Sequence, residues 1–252
     1  MRKPKCITLK FDSSLAPSRL VHSRATGARP SRPWAAARGG PSVPTDQDAT
    51  PVLVVNAGSS SLKVRLLPEG RDAVVERIGE PDGARLRGAG ATKELGAVVD
   101  THTAFRHALD AVADPAERDV IALVGHRIVH GGETYAEPVI LTEAILRELD
   151  DLASLAPLHN PANVAGIRAA RDALPHAEHV AVFDTAFHAT LPPRAYLYAL
   201  PLHLYRERQI RRYGFHGTSH DVVSMRLAEA LGTRREALKI VTLHLGNGAS
   251  AA

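Results

Sequence analysis

From Pro51 onward the chain shows regular hydrophobic patterning, and before it no period persists. The run PVLVV at 51–55 is unbroken apolar sequence, which predicts a strand buried on both faces. SLKVRLL at 61–67 then alternates, with Leu62, Val64 and Leu66 on one side and Lys63 and Arg65 on the other, the pattern of a half-buried strand. DAVVERI at 72–78 predicts a third strand, while residues 80–100 are Gly-rich and yield no element. TAFRHALDAVAD at 103–114 places Phe105, Leu109 and Val112 on one helical face. VIALVGHRIVHGG at 120–132 reads as a strand entering a glycine loop. Two helices are predicted next: one over 142–155 capped by Thr142, and one over 160–174 with Asn160 as cap and Pro161 in its first turn. EHVAVFDTAFH reads as a strand ending at Asp184. TSHDVVSMRLAEALG predicts a helix with a Thr218…Asp221 capping box and Gly232 as its stop, and LKIVTLHLGNG a last strand and turn. Strands first, then helices alternating with strands, imply a layered α/β fold.

Composition narrows the picture. Of 252 residues 44% are hydrophobic but only 4% aromatic, so the core must be built from Val, Leu, Ile and Ala. The formal charge of +4 is uneven. Residues 1–50 hold nine Lys and Arg against three Asp, a net of +6, which leaves −2 for the remainder. The basic character therefore belongs to the first 50 residues, and the patterned body carries no nucleic-acid footprint. Those 50 residues, rich in Arg, Ser, Pro and Ala, read as a disordered basic extension. An organelle transit peptide and a start codon assigned too far upstream are both compatible with them. Cys6 is the only cysteine, which excludes an intrachain disulfide and cysteine-based zinc sites. No apolar run reaches membrane-spanning length and no secretory signal is recognisable, so a cytoplasmic protein without a membrane partner is expected.

The candidate chemistry lies in the turns. NAGSSSLK joins the first two strands, and Ser59, Ser60 and Ser61 there set hydroxyls beside backbone N–H groups, a small anion cradle with Lys63 one step into the next strand. Asn56 is a neutral oxygen ligand for a hydrated metal. A polar hairpin tip is the alternative reading, and a Walker A loop is excluded because Lys63 is in a strand and no helix follows. In GHRIVHGG, Arg127 ends an apolar strand beside glycines, suited either to a bidentate grip on carboxylate or phosphate or to a strand-end salt bridge. Asp184 in FDTAFH lies where open α/β sheets collect ligand-binding residues, or caps the next turn. YGFHGTSH places Phe215 and His216 just before a helix N-terminus. His216 and His220 have the spacing of a zinc pair, but Gly217 and Thr218 between them argue against a helix there. HLGNG at 244–248 is a second glycine turn directly after a strand.

Taken together, NAGSSSLK, GHRIVHGGE, APLHNPAN, FDTAFH, YGFHGTSH and HLGNGAS resemble the acetate kinase family, from about residue 51 to the end of the sequence. The resemblance implies two ribonuclease-H-like domains of the actin-like ATPase and sugar kinase superfamily, with the site in the cleft between them. It implies reversible phosphoryl transfer from ATP to acetate, giving ADP and acetyl phosphate, with Mg²⁺. Within it, Asn56 corresponds to the Mg²⁺-associated residue and Ser59, Ser61 and Lys63 to the phosphate surroundings. Arg127 corresponds to the arginine on the carboxylate and phosphoryl group, and Val129, Leu158 and Phe215 to the walls of the methyl pocket. Asp184 matches the essential aspartate, His216 the transition-state histidine, and His159 and His244 further active-site histidines. His244, Leu245, Gly246, Asn247 and Gly248 form the second phosphate loop. Acetate is already ionised at neutral pH, so no general base is required, and Asp184 is expected to position Mg²⁺ through water.

A family member would continue beyond GNGASAA and be dimeric. On this reading residues 51–184 are the first domain, nearly whole, and 185–252 the beginning of the second, with an uncovered apolar face. Such a chain is expected to be an inactive piece of an acetate kinase. A propionate kinase and a non-catalytic phosphate- or carboxylate-binding remnant are the alternatives.

Overall fold

A computed structural model describes residues 50–98, 100–246 and 248–252. The expectations for residues 1–49 and for Asn247 lie outside the described residues.

β1 (Val52–Ala57), β2 (Ser61–Leu67), β3 (Arg71–Glu76), β4 (Ala84–Gly88) and β5 (Ala91–Gly96) run as an antiparallel meander. After α1 (Thr101–Val112) and the short α2 (Pro115–Asp119), β6 (Leu123–Ile128) joins β1 in parallel. β7 (Val139–Ile140), α3 (Glu143–Asp151) and α4 (Asn160–Ala173) follow, and β8 (Glu178–Phe183) extends the sheet in parallel beside β6. The resulting order is β5-β4-β3-β2-β1-β6-β8-β7. Beyond it lie α5 (Pro193–Tyr196), α6 (Leu202–Arg208), α7 (Gly217–Ala230) and a separate hairpin of β9 (Leu243–Leu245) and β10 (Ala249–Ala251).

Alternation decides which face is covered. Leu53, Val55, Leu62, Val64, Leu66, Ala73 and Val75 are buried under Phe105, Leu109 and Val112 of α1, as the spacing of those helix residues predicts. α4 packs beside α1 and brings Ala169 and Ala170 to the same core. A second core gathers Ile128, Leu146, Leu149, Ile167 and Phe183 around β6, β8, α3 and α4. β1 departs from expectation. It is buried on one face only, and Val54 on the other is 39% exposed, because α1 and α4 lie on one side of the sheet.

Four further expectations are corrected. The Gly-rich stretch 80–100 forms β4 and β5, whose pairing does not need a strongly apolar face at the sheet edge. Asn160 is inside α4 rather than at its cap; His159 takes the cap position, since the Asn160 side chain is committed to the backbone of His130. The Thr218…Asp221 box does not form: α7 starts at Gly217 with His216 as cap, and Asp221 pairs instead with Arg235. His220 is therefore helical, against the reading of that segment as non-helical. Finally, only Leu243–Leu245 of the last predicted strand is β structure. Thr142 does cap α3 through Ile145 N–H, and Gly232 ends α7 region with a φ of +62°.

A buried histidine pair links the two central parallel strands. His126 on β6 and His179 on β8 stack at 5.3 Å, with His126 Nε2 3.0 Å from His179 Nδ1. His179 Nε2 lies 3.2 Å from the Leu174 carbonyl, which can only accept, so the proton on His179 is at Nε2. His126 Nε2–H then donates to His179 Nδ1. Burial, and secondarily the neighbouring His179, pushes the His126 pKa down to about 3.

Candidate active site

Parallel pairing puts the C-terminal ends of β1, β6 and β8 side by side, and a polar residue stands at each: Asn56, Arg127 and Asp184. Arg127 Nε donates to both Asp184 carboxylate oxygens at 3.0 and 3.1 Å, and Nη2 donates to Oδ2 at 2.5 Å. Its remaining arm, Nη1, donates to Asn56 Oδ1 at 3.1 Å. The Asp184 side chain is 2% exposed, whereas that of Arg127 is 36% exposed. A buried carboxylate is thus neutralised by a guanidinium that still meets solvent. The strand-end salt bridge considered for Arg127 exists, and it joins two of the predicted site residues.

α4 fixes this sheet end. A Cβ on Gly166 would lie 2.5 Å from the Ala57 Cβ, so glycine permits the helix to cross directly over the end of β1. One turn earlier, Asn163 Nδ2 donates to the Ala57 carbonyl at 2.5 Å and its Oδ1 accepts from Val129 N–H at 3.0 Å. Asn160 Oδ1 accepts from His130 N–H at 3.2 Å, and its Nδ2 donates to the His130 carbonyl at 3.0 Å. The two amides clamp the chain leaving β6 and so set the direction of Arg127 and Val129. Both are buried, and pairing removes the cost of burying these backbone groups.

A cleft of about 1810 Å³ opens in front of this end. Arg127 and Asp184 line it together with Val129, Leu158 and Phe215. His159, His216 and Gly248 also line it. Leu158 is 75% exposed, while Phe215 is half-buried with its ring edge against His130, 5.6 Å between centroids. His188 Nε2 is 3.1 Å from the Phe215 carbonyl and holds that turn. His130 is buried, which pushes its pKa down.

His216 has φ +56°, the left-handed region that a non-glycine residue enters only when its surroundings hold it there. What holds it is the following residue: Gly217 N–H donates to the Asp184 carbonyl at 2.9 Å. A Cβ on Gly217 would come 2.3 Å from that oxygen, so only glycine fits. The backbone of Asp184 thereby anchors the start of α7 while its carboxylate anchors Arg127. The His216 ring stacks on His244 at 4.0 Å, nearly parallel, and His244 Nδ1 is 3.0 Å from Ser219 Oγ. Burial and then the His244 ring push the His216 pKa below its ordinary value.

The first turn is set apart. Gly58 N–H closes it on the Ser61 carbonyl at 2.7 Å, and Lys63 stands directly opposite Asn56 in the β1–β2 register. Ser59 and Lys63 are exposed and Ser61 half-buried, and none of the three lines the cleft. Leu245 and Gly246 are exposed on the β9–β10 turn. Asn56 Oδ1 and the Asp184 carboxylate, both hard oxygen donors gathered at one point, are the residues whose chemistry fits a hydrated Mg²⁺. His216 and His220 turn to Ser250, not to a common centre. Asn160 was legible only as a helix cap, and neither Asn163 nor Ser250 carried a signal in the sequence.

An antiparallel meander whose first strand pairs in parallel with β6, which pairs in parallel with β8, with helices packed on the sheet, is the ribonuclease-H-like arrangement of the actin-like ATPases and sugar kinases. The solved structures that resemble it agree. That of the Porphyromonas gingivalis acetate kinase matches with a TM-score of 0.73 at 40% identity, covering 81% of this chain and 54% of that one. That of a propionate kinase from Francisella tularensis matches with a TM-score of 0.73 at 34% identity, over the same shares. The chain belongs to the Acetokinase family, whose sequence pattern matches residues 51–252. The acetate kinase of Symbiobacterium thermophilum is 50% identical over 211 residues, 79% of this chain and 53% of that protein. That of Leifsonia xyli is 52% identical over 210 residues, with the same coverage. The chain spans about half the length of the curated relatives it matches.

Proposed function

We propose that residues 51–252 supply the carboxylate-gripping, phosphate-facing part of an acetate kinase, which transfers the terminal phosphoryl group of ATP reversibly to acetate. The observation that carries this reading is the Arg127–Asp184 pair, with Asn56 bound behind Arg127, in a cleft walled by Val129, Leu158 and Phe215. A guanidinium that is partly exposed and already oriented by a buried carboxylate is prepared to meet a second anion. Acetate has a charged head and a methyl tail, and Arg127 beside Val129 and Phe215 offers a partner to each.

Because acetate is ionised at neutral pH, the attacking oxygen carries a lone pair without any proton being removed. The difficulty is to bring one anion to another and to stabilise charge on the transferring group. Arg127 lowers the first barrier, and His216, 89 positions later in the sequence but lining the same cleft, faces the second. Asn56 and Asp184 would hold Mg²⁺, Asp184 through water, and the ion when bound would supply charge neutralisation at the phosphates. Ser59, Ser61 and Lys63 on one side and the His244–Gly248 turn on the other approach the nucleotide phosphates, and His159 closes the cleft edge. The first domain spans 51–184 and the second begins at 185.

A propionate kinase is the second reading, favoured by the equal TM-score to the Francisella tularensis structure. The test joins residues 51–252 to the remaining half of the Symbiobacterium thermophilum relative and assays acetyl phosphate and propionyl phosphate formation. Acetate-dependent product that disappears with Arg127→Ala supports the proposal. A preference for propionate selects the second reading, and a folded chimera that binds neither acid overturns both.

A further inference from the structure

One polar chain behind His216 has no part in the assignments above. His216 Nδ1 lies 2.9 Å from Ser250 Oγ, and the same Oγ lies 2.8 Å from His220 Nε2. His220 Nδ1 is 2.7 Å from Thr242 Oγ1, whose hydroxyl donates to the Ala252 carbonyl at 3.3 Å. His220 and Thr242 are buried, so water does not substitute for these partners. The chain therefore links α7, the segment before β9, and β10 to one cleft residue.

A carbonyl only accepts, and this gives the chain a direction. Thr242 gives its hydroxyl proton to Ala252, so its oxygen accepts from His220 Nδ1–H. With its proton on Nδ1, neutral His220 presents a bare Nε2, which accepts from Ser250 Oγ–H. Ser250, having given its one proton to His220, accepts from His216 Nδ1–H. The neutral His216 ring is then bare at Nε2. That nitrogen is on the side of the second glycine turn, since a Cβ on Gly248 would lie 3.5 Å from it, and both residues line the cleft. The ring is held in its plane by the parallel stack on His244, and Ser250 Oγ marks which of its edges carries Nδ1.

We propose that Ser250, His220 and Thr242 are positioning residues that hold neutral His216 in its Nδ1–H tautomer, so that His216 engages a phosphate only after a second proton reaches Nε2. This rests on the reading of His216 as the group facing the transferring phosphate. A bare nitrogen repels an anionic oxygen, whereas an imidazolium offers both charge and a donor. The surroundings keep that second proton off in the empty cleft. Burial, His244 on β9, Arg127 on β6 and His188 after β8 disfavour it, and only Asp184 favours it, with His220 of α7 held neutral by Thr242 and Ser250. Arrival of a phosphate supplies the missing negative charge, so binding and proton uptake go together.

The test is nitrogen-15 NMR of the 252-residue chain labelled at histidine, at pH 8, with His216→Gln as the assignment control. His216 is expected as the Nδ1–H tautomer. Ser250→Ala should move it toward Nε2–H, Ser250→Thr should retain the wild-type pattern, and Thr242→Val should reproduce the shift from three hydrogen bonds away. A packing role alone would not distinguish Ser250→Thr from Ser250→Ala at that nitrogen. Added inorganic phosphate should convert His216 to the imidazolium. Wild-type His216 already in the Nε2–H form overturns the proposal, as does a tautomer unmoved by Ser250→Ala and Thr242→Val, or a phosphate titration that leaves the ring neutral. The tautomer measurements contain no substrate, so they stand or fall apart from the kinase reading.

Discussion

Arg127 and Asp184, 57 positions apart in sequence, meet through three hydrogen bonds at the ends of adjacent parallel strands. The Asp184 carboxylate is buried and the guanidinium half-exposed, so the pair is lopsided. Its inner member depends on its outer member for neutralisation, while the outer keeps one face for a ligand.

Asp184→Asn keeps the shape and removes the charge. Three guanidinium hydrogen bonds lose their charged acceptor, and Arg127 faces the cleft without compensation. Breaking a buried ion pair costs about 3–5 kcal/mol, and the exposure of Arg127 places this case at about 3. Urea denaturation of the 252-residue chain should show that loss. In the chimera, turnover should fall by at least about 10²-fold with acetate binding much less affected. A variant of wild-type stability and turnover would return Asp184 to a turn-capping role.

Arg127→Lys retains the charge and discards the fork. A lysine cannot bridge both Asp184 oxygens, Asn56 and an incoming carboxylate at once. In the chimera the KM for acetate should rise about as much as in Arg127→Ala, and kcat should fall in both. Rescue of the acetate KM by lysine would show that Arg127 acts as a simple positive charge.

The strands β1, β2, β3, β6 and β8 and the helices α1, α3, α4 and α7 were legible because each rests on local pattern, whereas β4 and β5 at the sheet edge carry none. SLKVRLL alternates as it is built, and Phe105, Leu109 and Val112 face the core as their spacing requires. Two kinds of feature were not legible. Caps were misplaced wherever a long-range partner competed with the local one: Asn160 serves the His130 backbone, and Asp221 serves Arg235. Connections between site residues were invisible as well. Nothing in sequence says that Arg127 and Asp184 grip each other, or that Ser250 sits between two histidines, since these follow from strand order and helix placement.

Gly217→Ala tests how the site is anchored. A methyl group 2.3 Å from the Asp184 carbonyl oxygen and 2.8 Å from Phe187 Cβ cannot be accommodated without moving the start of α7 away from β8. Overpacking of this kind costs about 1–3 kcal/mol. The His216 resonances should shift, since the hydrogen bond from Gly217 N–H to Asp184 is the one that must lengthen. Unchanged His216 signals in a stable variant would show that this contact does not hold the ring.

The buried His126–His179 pair predicts a pH dependence of stability. In the unfolded chain His126 titrates near its ordinary value of 6.5, whereas in the folded chain its pKa is about 3. Between those values the unfolded state binds the extra proton, so stability is full above about pH 6.5 and is lost as pH falls toward 3. The loss is about 1.4 kcal/mol per pH unit for one such histidine. The pKa values of His179 and His130 are pushed down by burial too and add to the slope. Chemical denaturation at pH 8, 6 and 5 should show this decline, and His126→Gln, which keeps a donor toward His179 but does not titrate, should flatten it. An equal slope in His126→Gln would place the acid sensitivity elsewhere.

The 252 residues assayed alone should form no acetyl phosphate. Positioning and charge neutralisation do most of the work in phosphoryl transfer, and both require groups on every side of the transferring phosphate. This chain brings Arg127, His216 and the β9–β10 turn to the cleft, leaves the serine-rich turn outside its lining, and covers 53% of the relatives it matches. The β9 region also presents Val241, Leu243 and Leu245 at 75%, 63% and 75% exposure, with Met225 and Leu231 of the α7 region at 45% and 51%. Large apolar side chains exposed to this extent promote self-association. Size-exclusion chromatography should therefore show concentration-dependent oligomers, and Leu243→Lys with Leu245→Lys should reduce them without altering the Arg127–Asp184 end of the sheet. Fusion to the second half of an acetate kinase should abolish the oligomers by covering the same face. A soluble monomer of the 252 residues with turnover on the order of 1–100 s⁻¹, the ordinary range of kinases, would show that one wall of the cleft is enough and that the exposed leucines are not a docking face.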